Sequence, residues 1–189
     1  MSDFAANVDG WPRQLTWSDF QERSVRPPKV EEHAQIKADI VREGGGIRWK
    51  DRGGQVWFAP DAGDTPLAVR VTVIEAETWV LEGGEDEPWS RRGVKSERLL
   101  RHEQGHFDLT GLAACKLYRQ YTSNDLKASS QDAVVEEIRR LLKQIKQAAG
   151  ELDERYDHET EHGLDEQAQE RWNRRIRRAI QEERPEEFY

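Results

Sequence analysis

The sequence has a single cysteine, no long apolar run and no visible export signal at its start. One cysteine, Cys115, excludes an intramolecular disulfide and any zinc site built from several thiolates. No apolar stretch approaches the roughly 18–20 residues that would span a bilayer. Residues 1–12 contain neither a basic segment nor an apolar one. We therefore expect a cytoplasmic protein with no membrane partner.

The chain also lacks a positive net charge, and hydrophobic residues make up only 35% of it. The 29 Lys and Arg residues are outnumbered by 37 Asp and Glu residues, and the net charge of −8 argues against a nucleic-acid partner. Charged residues make up 35% of the chain, above the usual value of about 25%. A chain of 189 residues fits one domain. We place that domain at residues 13–181, between a flexible N-terminus, 1–12, and a frayed tail, 182–189.

The first half of the chain has the patterns of β-structure. Ala34, Ile36, Ala38 and Ile40 alternate with polar residues, which is the period of a half-buried strand. Residues 51–54 form a plausible hairpin turn between two short strands. The predicted strands cover 15–20, 34–40, 47–50, 55–58 and 67–80. Residues 82–95 are predicted to form a loop.

The second half has the apolar period of helices. The pattern predicts one helix over 96–122, a second from about 131, and a third after Gly163. Because strands precede helices, the sequence predicts an α+β fold, with an N-terminal antiparallel or mixed sheet followed by a helical half. We expect the sheet to lie over the first helix.

The first helix carries the motif His102-Glu103-Gln104-Gly105-His106. A spacing of four places the two imidazoles one turn apart on the same face, where they can bind one Zn²⁺. The carboxylate of Glu103 then lies beside the metal and can act as a general base. This H-E-x-x-H pattern interrupts an otherwise apolar helix, where uncompensated polar side chains would be costly. The motif therefore predicts a catalytic metal site.

A catalytic zinc site needs a third protein ligand. The metzincin continuation would place a glycine and a histidine at positions 109 and 112, and both are leucine. A second cluster follows at residues 156–163, and we predict His162 as the third ligand, with Glu159 orienting it. The remaining candidates for the third ligand are Asp157, His158 and Glu159.

Two residues beside these motifs have packing interpretations. Gly105 leaves out a side chain between the two histidines, which would let another segment approach the metal closely. Tyr156 follows the apolar stripe of the second helix and is expected to pack in the core. A hydrogen bond from its hydroxyl to an oxyanion is the alternative role.

The segment His102-Glu103-Gln104-Gly105-His106-Phe107-Asp108-Leu109, followed by Tyr156-Asp157-x-Glu159-Thr160-x-His162-Gly163, also carries a family resemblance. Weaker matches extend it to about residues 13–180: Leu15-x-Trp17-x-Asp19-Phe20, Thr78-Trp79-Val80, Gln167 and Trp172. The chain resembles a bacterial family of unknown function whose members are described as predicted secreted zinc-dependent proteases. The resemblance implies a zincin-like fold and a bound metal. Because members of that family are typically exported, it leaves export open, although no signal is visible in this sequence.

The expected function is therefore that of a zinc metallopeptidase acting on a peptide or protein substrate. Zn²⁺ held by His102, His106 and the third ligand would lower the pKa of its water toward about 7, and Glu103 would accept the proton. Two alternatives stay open. One is an amidase that acts on cell-wall peptides with the same metal, and the other is a zinc-stabilised interaction module without catalysis.

Overall fold

Strands fill the first half of the chain and helices the second in the computed structural model, which describes residues 8–28, 32–49, 55–62, 64–82, 96–123 and 126–189. This order confirms the α+β class. The predicted turn over 51–54 and the predicted loop beyond Glu82 lie outside the described residues.

Nine short strands occur in the described residues. They are β1 (Val8–Asp9), β2 (Gln21–Arg23), β3 (Ala34–Gln35), β4 (Ala38–Glu43), β5 (Gly46–Trp49), β6 (Val56–Ala59), β7 (Ala68–Val73), β8 (Trp79–Leu81) and β9 (Lys127–Ala128). They form three separate sheets, with the orders β1-β7-β4, β2-β8-β3 and β5-β6-β9. The pairings β1–β7 and β2–β8 are parallel and the others are antiparallel. The expectation of one N-terminal sheet was therefore wrong.

The predicted strand over 34–40 is divided between two sheets. Ala34 pairs with Val80 of β8, whereas Ala38 pairs with Val73 of β7. Between them, the backbone N–H of Ile36 donates to a carboxylate of the first helix rather than to a strand. The predicted strand over 67–80 is divided in the same way, because a 3₁₀ turn at Glu75–Glu77 separates β7 from β8. The chain thus changes sheets beside the first helix.

Two further strand predictions had different outcomes. The predicted strand over 15–20 is instead a 3₁₀ turn at Trp17–Asp19, where the Asp19 carboxylate accepts a hydrogen bond from Thr16 N at 2.7 Å. The strand β2 follows directly after it. The predicted pair over 47–50 and 55–58 is confirmed, because β5 and β6 are antiparallel with Trp49 opposite Val56.

Three α-helices occur in the described residues, as predicted. They are α1 (Glu97–Thr122), α2 (Gln131–Thr160) and α3 (Glu166–Gln181). Ser96, Ser130 and Asp165 cap their first turns by accepting hydrogen bonds from backbone N–H groups. Helix α1 is buried around most of its circumference, and Cys115 on it is 1% exposed. Within the described part of the chain, no helix combines the length and apolar character needed to cross a bilayer.

The N-terminal residues that the structure describes pack against the rest of the domain. Val8 pairs with Val69 of β7, and Trp11 is 3% exposed. The Trp11 ring lies against Gly111, where an ideal Cβ would come within 2.2 Å of a ring carbon. Residues 8–12 of the segment predicted to be flexible thus make core contacts, and residues 1–7 lie outside the described part.

The tail over 182–189, which was predicted to be frayed, packs against the helices. Residues Pro185–Glu187 form a 3₁₀ turn. The ring of Phe188 stacks on Trp172 with 5.8 Å between centroids, and the Tyr189 hydroxyl donates to the Leu109 carbonyl at 2.9 Å. The two aromatic side chains at the end of the tail make these contacts. The many charged residues of the tail give no sign of them in the sequence.

Candidate metal centre

Helix α1 places the side chains of its H-E-x-x-H motif at the boundary between the helices and the strands. His102 and Glu103 are each 3% exposed, and His106 lies one turn further on. The two imidazole Nε2 atoms are 3.3 Å apart. The motif thus presents two nitrogen donors to one point, as the spacing predicts.

Helix α2 brings the carboxylate of Asp157 to the same point. Its Oδ1 lies 3.0 Å from His102 Nε2 and 2.9 Å from His106 Nε2. Ligand atoms that surround a zinc ion tetrahedrally at 2.0–2.1 Å are about 3.3 Å from one another. The three atoms are spaced for one ion, and two imidazoles with one carboxylate are a ligand set that zinc accepts. The residues present therefore fit a metal.

The other nitrogen of each imidazole faces an oxygen acceptor. His102 Nδ1 is 3.0 Å from Gln169 Oε1 of α3, and His106 Nδ1 is 3.1 Å from Asp153 Oδ1 of α2. When each Nδ1 donates to its oxygen, the Nε2 lone pairs are left to point at the ligand position. With a metal ion at the Nε2 atoms, this arrangement would fix both the tautomer and the orientation of the rings.

Electrostatic coupling within the cluster is strong. Burial would lower the pKa of His106, but its hydrogen bonds to Asp153 and Asp157 outweigh burial and raise the pKa well above the ordinary value. Burial would likewise raise the pKa of Asp157, but the two imidazoles hold that pKa well below its ordinary value. Positive charge, from protons or from a metal ion, is therefore stabilised where these three side chains meet.

Glu103 lies beside the three ligand atoms and is not one of them. Its Oε2 accepts a hydrogen bond of 2.7 Å from the backbone N–H of Ile36, between β3 and β4. Burial raises the pKa of its carboxyl, although the nearby His102 and His106 rings act in the opposite direction. A fixed carboxylate with a raised pKa is a better proton acceptor than a solvated one.

Tyr156 packs between the two histidines and closes the back of the cluster. Its ring stacks on His102 at 4.8 Å and meets His106 edge-on at 4.8 Å. Its hydroxyl donates to the His102 carbonyl at 3.1 Å, and the side chain is fully buried. The structure therefore supports the core-packing interpretation of Tyr156 and not the oxyanion role.

The close approach of Tyr156 explains the glycine between the two histidines. An ideal Cβ on Gly105 would lie 2.2 Å from the Tyr156 hydroxyl. The expectation that another segment approaches at this position is confirmed, and that segment is α2. The missing side chain is what lets α2 carry Asp157 to the imidazoles.

His162, the predicted third ligand, lies next to the cluster of three and outside it. Helix α2 ends at Thr160, two residues before it. His162 Nδ1 is 3.6 Å from Asp157 Oδ1 and 3.6 Å from Glu32 Oε1. Within the described residues, the candidate that forms a group with His102 and His106 is Asp157, which was one of the alternatives.

The other two candidates for the third ligand point elsewhere. Glu159 Oε2 accepts a hydrogen bond from the indole of Trp172 at 2.9 Å, so it connects α2 to α3 instead of orienting His162. His158 is exposed on the last turn of α2. Neither residue joins His102 and His106 in a group of candidate ligands within the described part of the chain.

Sequence reasoning missed the residues that hold the cluster from outside. Gln169 bonds to His102 and also donates to the Tyr156 hydroxyl at 2.5 Å. It lies three residues before Trp172 on the apolar stripe of α3, and a polar residue at a core position was a usable signal. Arg98 on α1 donates to the carbonyl of Gly163 at 3.0 Å and pins the turn after α2. No periodic pattern in the sequence indicates the contact between Arg98 and Gly163.

We expect Gln169→Ala to weaken zinc binding about 10–100-fold, because residues that orient a ligating histidine typically have effects of this size. The substitution removes the acceptor of His102 Nδ1 and leaves the ring free to turn. The dissociation constant can be measured by competition with a chromophoric chelator. Gln167→Ala, an exposed position on the first turn of α3, is the matched control. Equal affinities for the two variants would contradict the assigned role.

A cavity of about 430 Å³ opens beside the cluster. One wall is the chain segment 34–38, and the opposite wall is formed by α1 and α2. His102, Glu103, His106 and Asp157 all line it. The candidate ligands and the candidate base therefore face a space large enough for part of a substrate.

The comparisons with known proteins find one family. No curated protein and no solved structure matches the chain. A family model described as "Bacterial protein of unknown function (DUF922)" matches residues 80–163. That range contains the H-E-x-x-H motif, Asp157 and His162, and it ends at Gly163. Over the segment that carries its candidate metal centre, the chain is thus similar to the bacterial DUF922 family.

Proposed function

We propose that the protein is a zinc-dependent hydrolase of zincin-like fold that cleaves peptide bonds. One observation carries the proposal. A buried carboxylate, Glu103, stands beside three converging ligand atoms without joining them, and all four side chains line one cavity. A metal that serves only to stabilise a fold needs no such neighbour.

The number of ligands supports a catalytic site over a structural one. Structural zinc sites are usually closed by four protein ligands, whereas catalytic sites use three and keep one position for water. His102, His106 and Asp157 form the only group within the described residues that joins two imidazoles to a carboxylate. All three candidate ligands line the cavity, so a substrate could reach the ion from it.

In the proposed mechanism the chain holds the reactants and moves one proton. A bound zinc ion supplies Lewis acidity and lowers the pKa of a water molecule. His102, His106 and Asp157 would hold the ion. Glu103, fixed by the N–H of Ile36, would accept the proton of the attacking water and then donate it to the leaving amine.

The wall opposite the helix supports a peptide as the substrate. Segment 34–38 contains β3 and the first residue of β4, and each of these strands is the outer strand of its sheet in the described residues. An outer strand can pair with an extended peptide through main-chain hydrogen bonds, and such pairing is insensitive to many side chains. An amidase that acts on cell-wall peptides would use the same groups.

The test is hydrolysis that depends on metal. The purified chain is expected to contain at least one zinc per molecule by elemental mass spectrometry. With zinc it should cleave members of a panel of proteins, quenched fluorescent peptides and cell-wall muropeptides, and chelation should abolish that cleavage. Cleavage of muropeptides alone would favour the amidase. Bound zinc whose removal only unfolds the protein, with no substrate cleaved, would favour the non-catalytic module and contradict the proposal.

A further inference from the structure

A second group of metal-ligating side chains adjoins the first. Glu32, Asp157 and His162 each offer one ligand atom, and these atoms lie within 4.8 Å of one another. His162 Nδ1 stands between the two carboxylates, 3.6 Å from an oxygen of each. Asp157 is common to this group and to the group with His102 and His106.

The nitrogen at the centre of this group lacks a hydrogen-bond partner among the residues that the structure describes. His162 Nδ1 is screened from solvent and makes no hydrogen bond with any described residue. A separation of 3.6 Å is too long for a hydrogen bond, which for nitrogen and oxygen spans about 2.7–3.2 Å. It is close to the spacing of two ligands on one divalent ion. The three side chains are therefore spaced as ion pairs are when the imidazole is protonated, and the same spacing suits a metal ion.

The backbone holds His162 in this position at a cost. Glu161 and His162 have φ angles of 49° and 52°, a left-handed conformation that residues with a side chain seldom adopt. Such conformations persist where the surroundings enforce them, and they concentrate at functional sites. Here Arg98 binds the Gly163 carbonyl, and the backbone N–H groups of Glu161 and His162 bond to carbonyls of the last turn of α2.

His162 does not serve as a fourth ligand of the first group. The ligand atoms that lie mutually within 4.8 Å form two sets, and His162 shares a set with Asp157 and Glu32 but not with His102 and His106. We propose that the protein binds a second divalent metal ion at Glu32, Asp157 and His162, with Asp157 bridging the two ions. This inference rests on the proposed function in one respect, which is that Asp157 also binds the first ion.

The ligand chemistry indicates the class of metal. One imidazole and two carboxylates suit zinc, manganese or cobalt, and they leave positions for water. Two carboxylates also balance the charge of a divalent ion. A bridged pair of ions can stabilise both the attacking and the leaving group of a hydrolysis, which one ion does less well.

The experiment counts zinc ions per chain. Metal-free protein is dialysed against Zn²⁺ at a free concentration set by a metal buffer, and zinc is counted by elemental mass spectrometry. Wild type is expected to bind two, and Glu32→Gln and His162→Asn one each. Asparagine is chosen because it tolerates the left-handed backbone. His158→Asn, an exposed position four residues before His162, should still bind two.

Two further variants separate this inference from the proposed function. His106→Gln should retain one ion at the second group, and Asp157→Asn should lose both, with folding checked by circular dichroism. One ion in wild type that is unaffected by Glu32→Gln would overturn the second site and leave the first intact. One ion that every variant loses would mean a single shared site, which also overturns the inference. Two bound ions without hydrolysis would contradict the proposed function alone.

Discussion

Glu103→Gln is expected to keep its zinc and to lose about 100-fold or more in turnover, since a positioned general base typically contributes about 10²–10⁴. The amide oxygen of glutamine can still accept the hydrogen bond from Ile36 N, so the side chain should stay in place. It cannot accept the proton of the attacking water. Steady-state rates on the best substrate, measured beside zinc content and melting temperature, separate lost chemistry from lost structure.

Glu154→Gln provides the matched control for that variant. Glu154 also lines the cavity but is exposed on α2 and lies outside both groups of candidate ligands. Its substitution should change turnover little. If Glu103→Gln hydrolysed substrate at the wild-type rate, another group would have to move the proton, and the mechanism proposed for this site would be wrong.

Gly105→Ala is expected to destabilise the protein by about 3 kcal/mol, the upper part of the range for an overpacked core. The added methyl group would lie 2.2 Å from the hydroxyl of Tyr156, which is itself held by His102 and Gln169. For a chain of this size, that loss lowers the melting temperature by about 6–12 °C. Zinc affinity should fall as well, because Asp157 follows Tyr156 on the helix that must move.

Gly150→Ala makes the same chemical change at a helical glycine without a neighbour. An ideal Cβ there meets nothing within 4 Å. Since alanine favours a helix over glycine by up to about 1 kcal/mol, this variant should melt about 2–4 °C higher than wild type. Both shifts can be read from thermal unfolding followed by circular dichroism. A Gly105→Ala protein that melts like wild type would mean that α2 lies further from α1 than described.

Helices were predicted well because their signal is local. The predicted helix over 96–122 differs from α1 by one residue, since the apolar residues repeat over seven turns and Ser96 caps the start. The strand over 34–40 was predicted from an equally clear alternation, yet it belongs to two sheets. The strand pairing is interrupted at Ile36, because its backbone N–H donates a hydrogen bond to the Glu103 carboxylate. A contact over 67 positions leaves no trace in a local pattern.

The candidate site was predicted in part for a similar reason. His102, Glu103 and His106 follow from spacing on one helix, which the structure reproduces. The third ligand depends on how α2 lies across α1, and that geometry is set by Tyr156 against Gly105. Asp157 follows Tyr156 directly, whereas His162 comes after the helix has ended. A preference for histidine as a zinc ligand could not substitute for that packing information.

The hydrogen bond between Ile36 and Glu103 has a consequence for how this protein can change over time. Successive residues of an extended segment face opposite ways, so an insertion or deletion within 34–38 would turn the N–H of Ile36 away from the carboxylate. Length variation is thus forbidden here, although many surface loops accept it. Because the constraint acts on the backbone, the cavity wall would diversify by substitution of side chains such as Lys37. Adaptation to new substrates would therefore proceed by point mutations along this wall.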